Sequence, residues 1–234
     1  MNLKACFAST GVALVGVALA GAQLVDPRPT DAAIGRTAAT NTFARTASGN
    51  GVTVKVFRRA DIWSTTDGST WMRHLSGTEC LLHDVAFGNG VFVAVGNEGA
   101  LVTSSDGDVW TRRNSRTDAR LRGIVFGNGL FVAVGYEGIV ITSKDGVKWT
   151  TRKSGTEERL QKVAYDHGTF VAVGWKGVIL TSPDGTRWIA RRSGISERLD
   201  GIAYRDGHFV ASIANRDTLI SPDSVKWVEP QNGE

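Results

Sequence analysis

The chain is 234 residues long and carries 27 Lys+Arg against 23 Asp+Glu, a formal net charge of +4. That balance is too mild to imply nucleic acid through charge alone, and the aromatic residues form no row on which bases would stack. The length suits one domain of tandem repeats preceded by a leader.

Residues 1–22 read as a secretory signal peptide. Lys4 supplies a minimal positive start, residues 11–20 (GVALVGVALA) an apolar stretch, and Ala20-Gly21-Ala22 the small-x-small pattern of a cleavage site after Ala22. The stretch is far short of the ~20 apolar residues that a membrane helix needs. An exported chain, periplasmic or secreted, is therefore expected, with no transmembrane segment after cleavage. Removing Lys4 lowers the net charge to +3 and leaves Cys80 as the remaining cysteine. No intrachain disulfide is then expected, and Cys80 reads as a buried small hydrophobe. Residues 23–42 show no apolar periodicity and read as a flexible linker.

From there the chain repeats. Trp71, Trp110, Trp149, Trp188 and Trp227 recur at intervals of 39 residues, each preceded four positions earlier by Asp67, Asp106, Asp145, Asp184 or Asp223. Rows of Phe92, Phe131, Phe170 and Phe209, and of Leu82, Leu121, Leu160 and Leu199, keep the same spacing without a gap. A fixed period near forty marks one supersecondary unit copied until the copies share a core. Residues 43–71 form a more diverged first copy, which keeps Gly49-Asn50-Gly51 but has Thr53 in the phenylalanine row.

Each unit divides into four strands. In the third copy, LRGIVF alternates and closes on Gly127-Asn128-Gly129, a hairpin signal because Asn and Gly tolerate positive φ. LFVAV at 130–134 is continuously apolar and predicts a strand buried on both faces. Gly135-Tyr136-Glu137-Gly138 turns the chain into a β-branched third strand, and Ser143-Lys144-Asp145-Gly146 leads to a fourth that starts at Trp149. Four short antiparallel strands repeated five times predict an all-β fold, a β-propeller of five four-stranded blades over residues 43–234. No strand is left over to complete a blade from the opposite terminus. Closure then rests on packing between the first and last blades, or the array is a partial ring needing another chain.

The turn Ser143-Lys144-Asp145-Gly146-Val147-Lys148-Trp149 and its copies resemble the Asp-box of BNR-type propellers, S-x-D-x-G-x-x-W, shortened by one residue between Asp and Trp. With FVAVG-x-x-G before it, the unit is similar to BNR-like propeller repeats of bacterial secreted proteins, a group that includes relatives of the photosystem II assembly factors. The resemblance covers residues 43–228. It implies that the Asp-box joins the third and fourth strands and is structural, so Asp67, Asp106, Asp145, Asp184 and Asp223 are expected to cap their own turns. In the fifth copy Ser224 replaces the glycine, so that turn should be the most strained. Sialidases also carry Asp-boxes, but their acid, nucleophile and arginine cluster sit on inserted loops, and every loop here has minimal length. The assembly factors have more than five blades, and sialidases have six.

Candidate binding residues are those where the copies differ or point outward. Tyr136 and Trp175 sit on turns after the second strand, where exposed aromatics suit protein or sugar contacts. The crossovers begin with Arg112-Arg113, Arg152-Lys153 and Arg191-Arg192, then pass acidic residues to reach Arg120, Arg159 and Arg198. Such a ring either pairs locally with Glu157, Glu158 and Glu197 or presents an anion-binding face. His74, His83, His167 and His208 fall at four different repeat positions, so no metal or nucleophilic constellation is expected, and no phosphate loop or cofactor either. The expected function is an exported binding scaffold for a protein or an acidic envelope glycan or polymer. The alternative is a sialidase-like, carbohydrate-active hydrolase or glycan-binding protein using the arginine-rich face.

Overall fold

The computed structural model describes residues 45–57, 60–214 and 218–230. The expected signal peptide and linker lie outside the described residues. Within them the fold is a β-propeller whose blades are antiparallel sheets in simple sequential order. Blade 1 comprises Thr46–Gly49, Val52–Val56, Asp61–Thr65 and Met72–Leu75. Blade 2 comprises Leu82–Gly88, Val91–Gly96, Leu101–Ser104 and Thr111–Arg112. Blade 3 comprises Leu121–Gly127, Leu130–Gly135, Val140–Ser143 and Thr150–Arg152. Blade 4 comprises Leu160–Asp166, Thr169–Gly174, Ile179–Ser182 and Ile189–Arg191. Blade 5 has Leu199–Arg205, His208–Ile213 and Thr218–Ser221, and its fourth strand is reduced to one bridge between Ile220 and Val228.

The hairpin signal holds in every blade. Asn50, Asn89, Asn128, His167 and Asp206 all have φ between 43° and 52°, and each is followed by a glycine at 70–80°. Two consecutive left-handed residues match the twist of the strands that they join. The second strands are the predicted double-sided cores, with Phe92, Phe131 and Phe170 fully buried.

The first strand of each blade faces the axis. All five line a central cavity of about 480 Å³, bounded among others by Ser48, Ala86, Val125, Lys162 and Ala203. Blades pack side to side through four hydrophobic clusters. At each, the trailing face of one blade (Val93, Val95 and Leu101 of blade 2) meets the leading face of the next (Leu121, Phe131, Ala133, Ile141 and Trp149 of blade 3). The phenylalanine and tryptophan rows are neighbours on that leading face, with Phe131 and Trp149 ring centroids 6.4 Å apart. Burying each such ring contributes about 2–3 kcal/mol.

The Asp-turns are capped as the repeat predicts. Asp145 Oδ1 accepts the backbone N–H groups of Val147 and Lys148 and the hydroxyl of Ser143. Trp149 then donates its indole N–H to the Gly146 carbonyl 2.9 Å away, locking strand start to turn. The bonds to backbone N–H hold the Asp67, Asp106, Asp145, Asp184 and Asp223 carboxyls well below the ordinary carboxylate range. Ser224 takes φ 62° where the other copies have glycine.

One expectation needs correction: Cys80 is buried but is disulfide-bonded rather than a free thiol. The seam between the first and last blades also differs from the other four. No hydrophobic cluster spans that seam among the described residues. A methyl on Gly107, Gly146 or Gly185 would touch the preceding blade, whereas one on Gly68 of blade 1 would meet nothing within 4 Å.

Candidate functional site

The turn after the second strand of blades 2, 3 and 4 is a short 3-10 turn whose middle residue is left-handed: Glu98, Glu137 and Lys176 have φ between 51° and 58°. Its first residue is tied to the residue that precedes the first strand of the same blade. Tyr136 N–H donates to the Arg120 carbonyl and Trp175 N–H to the Arg159 carbonyl, each at 2.9 Å. This backbone pairing sets an aromatic side chain beside an arginine twice in succession.

The side chains interleave across three blades. The Arg120 guanidinium lies 5.0 Å from the Tyr136 ring centroid, and Arg159 lies 4.5 Å from the same ring on behalf of the next blade. Arg159 also lies 4.6 Å from the Trp175 ring, and Arg198 of blade 5 lies 5.8 Å from it. The order Arg120, Tyr136, Arg159, Trp175, Arg198 is a continuous cation–π ladder. Each contact contributes about 0.5–1 kcal/mol at an exposed site.

Charge along the ladder is unevenly compensated. Arg198 makes a two-point pair with Asp200 at 2.6 and 3.0 Å, which raises its pKa further. Glu158 is held by Lys176 at 2.8 Å rather than by an arginine. Among the described residues, Arg120 and Arg159 have no carboxylate partner. Two exposed guanidinium forks therefore remain on this face.

A polar network lies beside it on the first strands. Arg122 donates through Nε to Gln161 Oε1 at 3.1 Å and reaches His83 Nδ1 at 3.4 Å, while His83 Nε2 sits 2.6 Å from Asn97 Oδ1. An arginine can only donate and Oδ1 can only accept, so His83 is the neutral tautomer with its proton on Nε2. Burial first, then the nearby positive charges of Arg122, Arg120 and Arg45, lower its pKa to about 4. One residue further along the strands, Lys162 pairs with Asp84 at 2.9 Å across blade 3. Gly123 lies between them, and a side chain there would press on the Lys162 backbone.

The arginines that open the crossovers are placed differently. Arg113, Arg152 and Arg191 are half-buried, and each donates Nε to a threonine of its own third strand, Thr103, Thr142 or Thr181, at 2.8–3.0 Å. These three are the true repeat equivalents, and His74 takes their place in blade 1, bonded to Ser64. Arg112, Lys153 and Arg192 are exposed; Lys153 and Arg192 share a repeat position, which Asn114 takes in blade 2, and Arg112 falls elsewhere. Arg112 and Arg113 border a surface cleft of about 560 Å³ with Glu98 and Asp118. The structure thus brings Tyr136 and Trp175 together with the arginines that end the crossovers, not with those that begin them. The sequence signal for this was the constant 39-residue spacing of Arg120, Arg159 and Arg198.

No family model and no curated protein matches the chain. Solved structures match it as a fold. YCF48 bound to D1 peptide superposes with a TM-score of 0.62 at 18% identity, covering 79% of this chain and 64% of that one. YCF48 from Cyanidioschyzon merolae gives 0.58 at 15% identity, covering 80% and 71%. The GH74 enzyme of Niastella koreensis gives 0.55 at 17% identity, covering 79% and 30%. The chain spans less than two thirds of the peptide-bound YCF48 chain that it resembles.

Proposed function

We propose that this chain is an exported propeller scaffold that binds an acidic protein segment on the Arg120–Tyr136–Arg159–Trp175 face. The observation that carries the reading is the placement of Arg159: stacked between two aromatic rings, yet without a carboxylate partner among the described residues. Stacking holds the fork flat and pre-organised, and a carboxylate docking on it completes a pair that the fold leaves open. The aromatic edges beside it supply apolar contact area at low entropic cost. A similar propeller fold is known with a peptide bound, and the leader expected at residues 1–22 supports export.

The test is a fluorescence titration of labelled acidic peptides against neutral peptides of the same length, in low and high salt. Acidic peptides should bind more tightly, salt should weaken them, and Arg159→Ala should lower their affinity at least tenfold. Equal binding of neutral peptides, or an unchanged affinity for the variant, overturns the reading.

A hydrolase reading draws on the GH74 likeness. Against it stands the engagement of the crossover carboxylates: Glu158 bonds Lys176, and Glu197 Oε2 accepts the Ser196 N–H. Turnover of an acidic or neutral oligosaccharide by the purified chain, lost on Glu157→Gln or Glu197→Gln, would favour the enzyme instead.

A further inference from the structure

The innermost strands carry one position that no two neighbouring copies share. Counted by the 39-residue period, it holds Arg45, Asp84, Gly123, Lys162 and Gly201. The next position is β-branched in every blade, as Thr46, Val85, Ile124, Val163 and Ile202, and the one after it is alanine or valine throughout. Shared positions answer to the stability of the stack. An unshared charged pair in the middle of the ring needs another account.

Lys162 and Asp84 are such a pair, 2.9 Å apart, with side chains only 17% and 6% exposed. The attraction within a buried ion pair roughly offsets the hydration that both charges lose, so stability is a weak reason for placing one here. Gly123 lies between them, and a Cβ there would come within 2.9 Å of Lys162 Cα, so the close approach that the pair spans needs that glycine. Asp84 is engaged at both oxygens, by Lys162 and by the Ile124 N–H at 2.9 Å. Lys162 is engaged once. An ammonium has three donors, and among the described residues Asp84 is the one acceptor that Lys162 meets.

Both groups line the central cavity of about 480 Å³, together with Arg205. Two cations therefore face one carboxylate. The other carboxylates of the first strands, Asp166 and Asp200, are held by His167 and Arg198. Beyond the pair the walls turn apolar. Val85, Ile124, Val163 and Ile202 keep 4–6% of their surface and line the cavity, whereas Leu82, Leu121, Leu160 and Leu199 before them on the same strands are fully buried. Phe87 and Phe126 end this lining, three residues or about 10 Å along the strand from the level of the pair. The volume would hold roughly fifteen water-sized groups at ~30 Å³ each. Apolar walls around a few placed polar groups are the ordinary make-up of a small-molecule site.

We infer that the central cavity binds a small organic carboxylate. The anion takes the unmatched donors of Lys162, and an apolar body up to about 10 Å long lies along the valine and isoleucine walls toward Phe87 and Phe126. Asp84, fixed by the Ile124 N–H, is the positioning residue that holds the ammonium at the cavity wall. A neutral molecule of the same shape would leave the ammonium unsatisfied, and an amine would meet an excess of positive charge.

The test titrates phenylbutyrate into the chain labelled at its isoleucine methyl groups and follows them by NMR. Ile124 and Ile202 should shift, and Ile189, exposed on an outer strand, should not. Phenylbutanol should bind roughly tenfold more weakly, and phenylbutylamine more weakly still. The double variant Asp84→Asn, Lys162→Met keeps an acceptor for the Ile124 N–H and removes both charges. It should bind the acid no better than the alcohol. An absence of shifts at Ile124 overturns the inference, and shifts instead at Ile195, on the crossover that ends at Arg198, would place the anion on the arginine face. Equal affinities of acid and alcohol for the unaltered chain also overturn it, as does a preference for the acid that survives in the double variant. The comparison of acid with alcohol needs no variant, so it decides even where the double variant fails to fold. Peptide binding on the arginine face is a separate measurement, and its outcome leaves this one unaffected.

Discussion

The guanidinium of Arg159 stands 4.6 Å from the ring of Trp175, although the two residues are sixteen positions apart in sequence. The backbone bond from Trp175 N–H to the Arg159 carbonyl holds them together, and the same bond recurs between Tyr136 and Arg120. Blades 2 and 5 make the same backbone bond with Asn97 and Ala214. The bond therefore needs no aromatic there. The aromatic residues of blades 3 and 4 are thus additions to a shared scaffold.

Arg159→Ala should cost about 1 kcal/mol of stability, since two exposed cation–π contacts are lost. Urea denaturation followed by fluorescence measures this. Arg159→Lys should recover stability in part but not peptide affinity, because an ammonium cannot offer a two-point fork.

Below pH 4 the Asp-turns should fail together. Their carboxyls titrate lower in the folded chain than in the unfolded one, because backbone N–H donors favour the charged form. Their stabilisation is therefore complete above about pH 4 and lost as pH falls further. Thermal melts from pH 5 to 2 should show a steep drop in Tm, and Asp145→Asn should make that drop shallower while lowering Tm at pH 7.

His83 predicts a separate, earlier loss. Its folded pKa of about 4 lies below the ordinary value of 6.5, so the unfolded chain binds the extra proton between those limits. Stability should decline as pH falls from 6.5 toward 4. In His83→Gln that decline should be reduced, which melts at pH 7, 5.5 and 4.5 can measure.

Ser224→Gly should stabilise the chain by about 1 kcal/mol. Serine at φ 62° carries a Cβ penalty that glycine avoids, and the other four copies have glycine there. A higher urea midpoint at constant m-value checks this. An unchanged midpoint would mean that the side chain makes a compensating contact.

The 39-residue period determined the fold by itself, because a blade apolar on both faces has no stable form except stacked between copies. The Asn-Gly hairpins and the Asp-turn caps were legible for a similar reason: they are local, fixed by residues within a few positions of one another. What joins distant positions was not legible. Arg113, Arg152 and Arg191 looked like a ring facing outward, and only the pairing of third and fourth strands turns them onto threonines. The sandwich of Arg159 between Tyr136 and Trp175 comes from two neighbouring blades, so its geometry exists only after they pack. The fifth seam was likewise a tertiary matter. The sequence carries Thr53 and Lys55 where the other blades have buried phenylalanine and alanine, and Ser212 where blades 2 to 4 have buried valine. These positions become two walls of one seam only once the blades stack, and among the described residues no hydrophobic cluster spans it.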